Sequence, residues 1–398
     1  MIRVAEALEL IRKNCAPAPA ETISLGEGLN RVAAAAIRAD VDWPPFDASA
    51  MDGYAVRLRD LPREGEVLTE RPGLVAAGDP PGAPLSPREA VRVMTGAPVP
   101  EGTEAIVPVE RVRRKEGRVA ILSVPRAGEH IRRRGESVTA GSLLLASGRR
   151  LTATDIALAA LAGAERIAVH GRPRVAVAVT GNELVAVSSK PGVGQLRDSN
   201  GPMLSALCRS GGWPVAARAP VPDEAGAVRR LFETAGQGEN VLITSGGVSA
   251  GDLDLLPEAA ERAGFRILFH GVAVRPGKPI AFGRRDEVFW FGLPGNPVSA
   301  SVGFRLFVRP ALEAMEGVAQ PGPAFVSARL TRGISLRGHR ETYRDGLLET
   351  SGAEARVAPL DSLGSHDLAT HARANALIRV PAEAELLPEG ALVECLVL

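Results

Sequence analysis

The first residues to invite a chemical reading lie in Thr244–Leu256, TSGGVSAGDLDLL. Gly247-Val248-Ser249-Ala250-Gly251 matches G-x-S-x-G, the nucleophile elbow of serine hydrolases. Asp252 and Asp254 follow at once and glycines crowd the front, which also suits a loop that cradles phosphate and holds a metal through carboxylates. A hydrolase triad of this order needs an acid and then a histidine after the serine. Only His270, His339, His366 and His371 come later. His270 lies inside a strand-like run, where a packed or rim role fits it, while His366 and His371 fall in a separate β-rich tail. No HGGG-type oxyanion loop occurs. The anion-and-metal reading is the stronger one.

That reading gains from three further loops. In open α/β sheets ligands bind beyond the carboxyl ends of the strands. Thr180-Gly181-Asn182-Glu183 follows the run RVAVAV, and Ser245-Gly246-Gly247 follows VLI. RPGKP, with Arg275 and Lys278, follows HGVAV, and Pro294-Gly295-Asn296-Pro297 follows FWFG and opens a helix. Glycines let backbone N–H groups approach an anion, and a helix N-terminus adds about 0.3–2 kcal/mol for a negative charge. Arg275 and Lys278 bring cations to the same rim; Glu183, Asp252 and Asp254 bring carboxylates. With no His or Cys ligand beside them, these groups suit a phosphate ester bridged to Mg²⁺, which prefers oxygen ligands. A single glycine-rich turn after a strand is often only a turn; four at one sheet end make a joint case. Two shorter motifs fail. GVAVRPGKP is no P-loop, because five residues separate Gly271 from Gly277 and Pro279 replaces Ser/Thr. GVGQLR lacks the third glycine of a dinucleotide fingerprint.

The elements that must position these loops can be read from periodicity. Val4, Ala7, Leu8 and Ile11 share one face of an amphipathic helix, and its Glu6 and Glu9 exclude a secretory signal. From about residue 47 to Ser137 short Val-rich runs alternate with turns, and RRKEGR joins two of them as a β-hairpin. Thr152 with Asp155 forms a capping box for a helix that ends near Gly163, and this helix is expected to pair with the first one in a domain interrupted by the β insert. Residues 172–317 alternate strand and helix, the order of a mostly parallel sheet covered on both faces. Helical periodicity then disappears, so 318–398 reads as a small β domain. The expected division is 1–46 with 138–171, 47–137, 172–317 and 318–398, against a size prior of about 2–3 domains.

Bulk composition narrows the function. The chain of 398 residues is 45% hydrophobic and 23% charged, with a net charge of +1. Nothing there calls for nucleic acid or an anionic membrane as partner, and no apolar run nears the length of about 18 residues that a span requires. Cys15, Cys208 and Cys395 are far apart with no C-x-x-C pair, which fits a reducing cytoplasm rather than a disulfide scaffold or zinc knuckle. The basic runs Arg111–Lys115 and Arg132–Arg134 read first as a solvated hairpin and a charged rim.

Eight phrases in order across almost the whole chain resemble one family, the MoeA-type molybdopterin molybdenumtransferases, related to the C-terminal domain of gephyrin. They are PPFDASAMDGYAV, RVMTGAPVPEGTEAIVPVE, IRRRGE, TGNEL, RDSNGPML, TSGGVSAGDLD, VRPGKP and GLPGNPVSA. The resemblance implies an α/β multidomain fold: an elongated helical dimerisation region, a β-rich insert, a three-layer molybdopterin-binding α/β domain and a small C-terminal β-barrel. It implies insertion of molybdenum from molybdate into adenylylated molybdopterin, with release of AMP and a need for Mg²⁺. It further implies a homodimer whose active cleft lies between the α/β domain of one subunit and the insert of the other, and transient contact with the molybdopterin adenylyltransferase.

Carried over by resemblance, Asp52 and Thr95 reach the cleft from the partner subunit, and Arg132 moves from charged rim towards anion contact. Glu183, Asp223 and Asp254 line the pocket as acids, with Glu183, Asp252 and Asp254 as metal candidates. Gly181, Ser245, Gly246, Gly247 and Ser249 belong to its glycine-rich walls. Arg275 and Lys278 form the cationic pair, Pro294 to Pro297 frame the last loop, and Ser365 matches on the C-terminal domain. Ser137 stands where the family usually shows an acid, which leaves Glu136 or another group to substitute. Molybdate is a dianion, so cations must hold it while acids hold Mg²⁺ and orient water. Cleaving a phosphoanhydride needs charge neutralisation more than a covalent nucleophile. Two other functions use the same parts: an adenylyltransferase, since one-domain relatives share the α/β unit, and a non-enzymatic scaffold, as in gephyrin.

Overall fold

The computed structural model describes residues 1–248, 255–335 and 338–398. Its organising sheet runs, in spatial order, Val215–Ala217, Val175–Val179, Val241–Ser245, Val288–Leu293, Ala281–Arg285, Arg266–His270. The first four strands are parallel; Ala281–Arg285 runs antiparallel to both its neighbours, so Arg266–His270 points the same way as the first four. VAVAV reads as a strand buried on both faces, and each side chain confirms it by alternation. Val175 and Val177 point into one core, Ala176 and Ala178 into the other. The helices are α1 (Val4–Asn14), α2 (Ala153–Leu161), α3 (Asn200–Ser210), α4 (Ala225–Glu233), α5 (Leu255–Arg262), α6 (Pro297–Gly303), α7 (Arg309–Met315) and α8 (Leu368–Arg373). α3, α6 and α7 cover the first face, α4 and α5 the second. A π-helical stretch, Phe304–Val308, makes α6 and α7 one continuous rod.

The first helix is placed differently from the sequence reading. α1 forms where expected, but Val4, Ala7 and Ile11 enter the core of the α/β unit and pack on α7, not on α2. An apolar stripe specifies that a face is buried, not against what. α2 has the expected Thr152–Asp155 capping box, and Gly163 follows its C-cap at φ +72°. It closes a separate small core with Leu145, Leu151 and Ile167. The segments on either side of the insert pair with each other, Ala20–Ser24 with Arg166–His170 and Ile37–Arg38 with Leu143–Leu145.

The insert is a sheet in the order Ala105–Pro108, Gly53–Val56, Glu89–Val93, Val67–Glu70, Arg118–Ile121, Val112–Lys115. Its last two strands are the RRKEGR hairpin, turned by Glu116 and Gly117 at positive φ. Gly53 packs so tightly against the Val107 carbonyl that a Cβ has no room, and this fixes Asp52 at the strand's mouth. The C-terminal region closes into a barrel: Glu341–Glu349, Arg356–Pro359, Phe325–Leu330, Leu392–Val397 and Ala376–Val380, which pairs back to Glu341–Glu349.

One expected strand is two. FRILFHGVAV breaks at Gly271, φ +89°. Arg266–His270 stays at the edge of the α/β sheet, antiparallel, while Val274–Arg275 joins the barrel beside Glu341–Thr342. RPGKP therefore begins at Val274–Arg275, a strand of the barrel sheet and not of the α/β sheet, and it marks the chain's crossing from one sheet to the other. The antiparallel strand Ala281–Arg285 is an element the periodicity reading did not separate. No helix among the described residues is long and apolar enough to cross a membrane. All three cysteines are buried and unpaired, and burial pushes the Cys15 and Cys208 thiols up to about 12 and that of Cys395 to about 11.

Candidate functional site

The parallel strands Val175–Val179, Val241–Ser245 and Val288–Leu293 all end at one edge, and a cavity of about 1090 Å³ opens there. That exceeds the range of roughly 300–1,000 Å³ usual for small-molecule sites. Gly181, Glu183, Asp223, Ser245, Gly246, Gly247, Arg275, Pro294, Gly295, Asn296, Pro297 and Ser365 all line it. Four chain-distant loops and the barrel domain thus converge on one space. Ser249, Asp252 and Asp254 lie outside the described residues.

Gly246 is the tightest point of the wall. Its φ is +98°, and a Cβ would sit 2.5 Å from the Thr180 carbonyl oxygen, so only glycine lets the two loops meet. Behind the wall, Asn200 at the start of α3 donates through Nδ2 to Ser245 Oγ at 2.9 Å and to the Gly295 carbonyl at 2.7 Å. Ser245 in turn donates to the Pro294 carbonyl at 2.9 Å and is 2% exposed. Its hydroxyl is therefore a brace between two loops rather than a ligand contact. Asn200 went unnoticed in the sequence reading, although it stands in RDSNGPML. Its Oδ1 and the Thr180 hydroxyl are buried without a partner in the described structure.

The acids are spaced around the mouth. Glu183 is exposed, with its carboxylate lying over Gly181, and Asp223, half-buried, takes its backbone N–H to Asn182 Oδ1 at 3.1 Å. Asp198 also lines the cavity and accepts from Gly201 N–H at 2.9 Å. Arg275 is exposed at the crossing point, and Arg340, a second cation absent from the sequence reading, joins it with one N–H on the Val274 carbonyl at 3.3 Å. Lys278 is exposed, but its neighbours Gly277 and Pro279, not Lys278 itself, line the cavity. Ser365 is held against α6: Val298 N–H donates to its carbonyl at 3.1 Å and Asn296 Nδ2 to its hydroxyl at 2.9 Å.

Asp52 and Thr95 form a second site on the insert, Arg132 lies on the short strand paired with Ala48–Ser49, and none of the three lines that cavity. Asp52 accepts from Thr95 N–H at 2.7 Å and from its hydroxyl at 2.9 Å. These bonds, the backbone one foremost, hold the Asp52 carboxyl below its ordinary range. In the basic run, Arg133 pairs with Asp47 and Arg134 with Asp42, each at 2.6 Å. Arg132 is exposed with no ion-pair partner among the described residues, which leaves its charge available to an anion. Glu136 caps its own turn, accepting from Arg133 N–H at 2.8 Å. His270, the first histidine available to a serine nucleophile, bonds the Val248 carbonyl through Nε2 at 3.0 Å. That bond gives the imidazole a structural partner.

A glycine-walled cavity at the strand ends of an α/β domain, joined to a β insert and a barrel, defines a multidomain ligand-binding protein. Models of the MoeA N-terminal region (domains I and II), a probable molybdopterin-binding domain and the MoeA C-terminal region (domain IV) match residues 2–163, 176–314 and 327–398. The chain belongs to the MoeA family. It is 34% identical over 365 residues to the molybdopterin molybdenumtransferase of Haemophilus influenzae, covering 91% of this chain and 90% of that one. It is 37% identical over 369 residues to molybdopterin molybdenumtransferase 2 of Mycobacterium tuberculosis, covering 90% of each. The crystal structure of a molybdopterin biosynthesis MoeA protein from Pyrococcus horikoshii superimposes with a TM-score of 0.81 at 30% identity, over 100% of this chain and 99% of that one.

Proposed function

We propose that the protein is a molybdopterin molybdenumtransferase, inserting molybdenum from molybdate into adenylylated molybdopterin and releasing AMP. The observation that carries this is the convergence of Glu183, Asp223, Arg275, Arg340 and Ser365 on one glycine-walled cavity. Backbone N–H groups of the Gly246–Gly247 and Gly295–Asn296 loops suit a phosphate. Arg275, Arg340 and Ser365 offer cationic and hydroxyl donors to an oxyanion at the barrel side. Arg is suited to bidentate oxyanion contact, where Lys would act as a point charge.

Glu183 and Asp223 offer the oxygen donors that Mg²⁺ takes. No group of three His, Cys, Asp or Glu that could hold a metal occurs among the described residues. With Asp252 and Asp254 outside the described residues, Glu183 and Asp223 are the described carboxylates that would hold a magnesium ion here, beside water and substrate oxygens. Bound there, it would neutralise charge on the phosphoanhydride. The protein's own residues orient the anions, keep the carboxylates at the mouth and exclude water from the cradle.

Asp52, Thr95 and Arg132 fit the same reaction if a homodimer brings the insert of the partner subunit over the cavity, and we place the enzyme in the cytoplasm with the adenylyltransferase as a transient supplier of substrate. The test incubates the purified protein with adenylylated molybdopterin, with and without molybdate and Mg²⁺. Molybdate-dependent AMP release that a chelator abolishes is expected; AMP release indifferent to molybdate would overturn the assignment.

A further inference from the structure

Between the barrel and the helix that opens at the cavity lies a buried Ser–His–Asp line. His371 on α8 has Nδ1 2.6 Å from Asp345 Oδ1 and Nε2 2.8 Å from Ser301 Oγ. Ser301 is 2% exposed, Asp345 5% and His371 6%. The spacing is that of a hydrolase triad, so that role has to be decided first. A nucleophilic serine needs a site about 3 Å away where the reacting atom can sit. Neither Ser301 nor His371 lines the large cavity or the smaller one beside it. Access excludes acyl chemistry.

What the line does join is three elements. Ser301 belongs to α6, one turn beyond Asn296 and Pro297 of the cavity wall. Asp345 belongs to the barrel strand Glu341–Glu349, and His371 to the helix that follows the loop carrying Ser365 and His366. That loop is anchored at both ends. Ser365 bonds the start of α6, and Asp367 accepts from Leu363 N–H at 3.0 Å and Thr370 N–H at 3.1 Å, closing the loop on α8. The imidazole is the buried link from α8 to both α6 and the barrel. Removing it would leave a buried carboxylate without its donor, a larger loss than that of a surface bond.

We propose that His371 is a positioning residue: it clamps the Ser362–Asp367 loop onto α6 and so sets the wall on which Ser365 meets the substrate oxyanion. The clamp stands on the geometry alone; its consequence for molybdate rests on the cavity reading above.

The test compares His371→Leu, His371→Gln and Ser301→Ala in the full chain. Hydrogen–deuterium exchange of residues 362–368 is measured beside the apparent KM for molybdate and kcat at saturating pterin. In His371→Leu and Ser301→Ala, exchange in the loop is expected to rise while strand Ala376–Val380 stays protected. KM should rise about fivefold to tenfold, the scale of one lost buried hydrogen bond, with kcat changed less than about twofold. His371→Gln, which keeps a donor and an acceptor, should recover much of the loss. If His371→Leu does not fold, Ser301→Ala carries the test. Unchanged loop exchange in folded Ser301→Ala overturns the clamp. Faster loop exchange with unchanged KM upholds the clamp and overturns the placing of the oxyanion at Ser365.

Discussion

Two acidic regions of this chain are built in opposite ways. The cavity places Glu183 and Asp223 within walls contributed by four loops and the barrel, beside Arg275 and Arg340. The insert places Asp52, exposed, at the start of the strand Gly53–Val56, held by Thr95. The first has a space for a ligand and a set of charges to receive it. The second has charges ordered as if for a ligand, yet lines none of that space. The two hydrogen bonds from Thr95 fix the Asp52 carboxylate and hold it below its ordinary pKa.

Breaking the cavity side should have the largest effect. Glu183→Gln is expected to lower kcat/KM by about 10²–10³, the scale of one preorganised electrostatic group, with an unchanged melting temperature; steady-state AMP release measures it. A loss within twofold would remove Glu183 from the reaction. The composite-site idea sharpens next. Asp52→Ala and Glu183→Ala should each be inactive alone, but mixed and reassembled they should recover about a quarter of wild-type activity, because each mixed dimer keeps one intact pair. No recovery after verified subunit exchange means that both residues act within one chain.

The remaining effects fall on stability. Asn200→Ala severs the brace to Ser245 and Gly295 and should cost about 1–3 kcal/mol in urea unfolding, since it strands buried polar groups. Asp155→Ala, far from either region, removes the α2 capping box and should cost about 1 kcal/mol with activity intact. The smallest effect is acid-dependent. Backbone N–H groups of Leu363 and Thr370 lower the Asp367 carboxyl to about 2 from its ordinary 3.8. A depressed folded pKa contributes stability above the ordinary value and loses it as pH falls through the folded one. Exchange protection of the 362–367 loop should thus be constant above pH 3.8 and decline towards pH 2. Equal decline in Asp367→Asn would assign it to another group.

Much of the site is legible because glycine, proline and charge have local meanings. The φ +98° of Gly246 and the N1 position of Pro297 are properties of short windows, and both residues stand in loops that line the cavity. The Thr152–Asp155 cap could be read for the same reason. Ser245 shows the limit. Its position at a strand end made it a ligand candidate, but its hydroxyl serves Pro294, nearly fifty residues away. Arg340 and Asn200 carried no motif of their own strong enough to separate them from ordinary polar residues. His371 looked like a tail histidine because Ser301 and Asp345 lie on other elements.

By itself the sequence determined the element types, the order of domains, the glycine-walled loops and the family, since periodicity, capping and turn chemistry act over a few residues. Only the tertiary structure decided that α1 joins the α/β core, that Arg275 sits where the chain crosses into the barrel, and that the Asp52 edge stands apart from the cavity. Those outcomes depend on which buried faces find each other and on hydrogen bonds between distant residues. A stripe or a charge specifies the need for a partner, and packing chooses it.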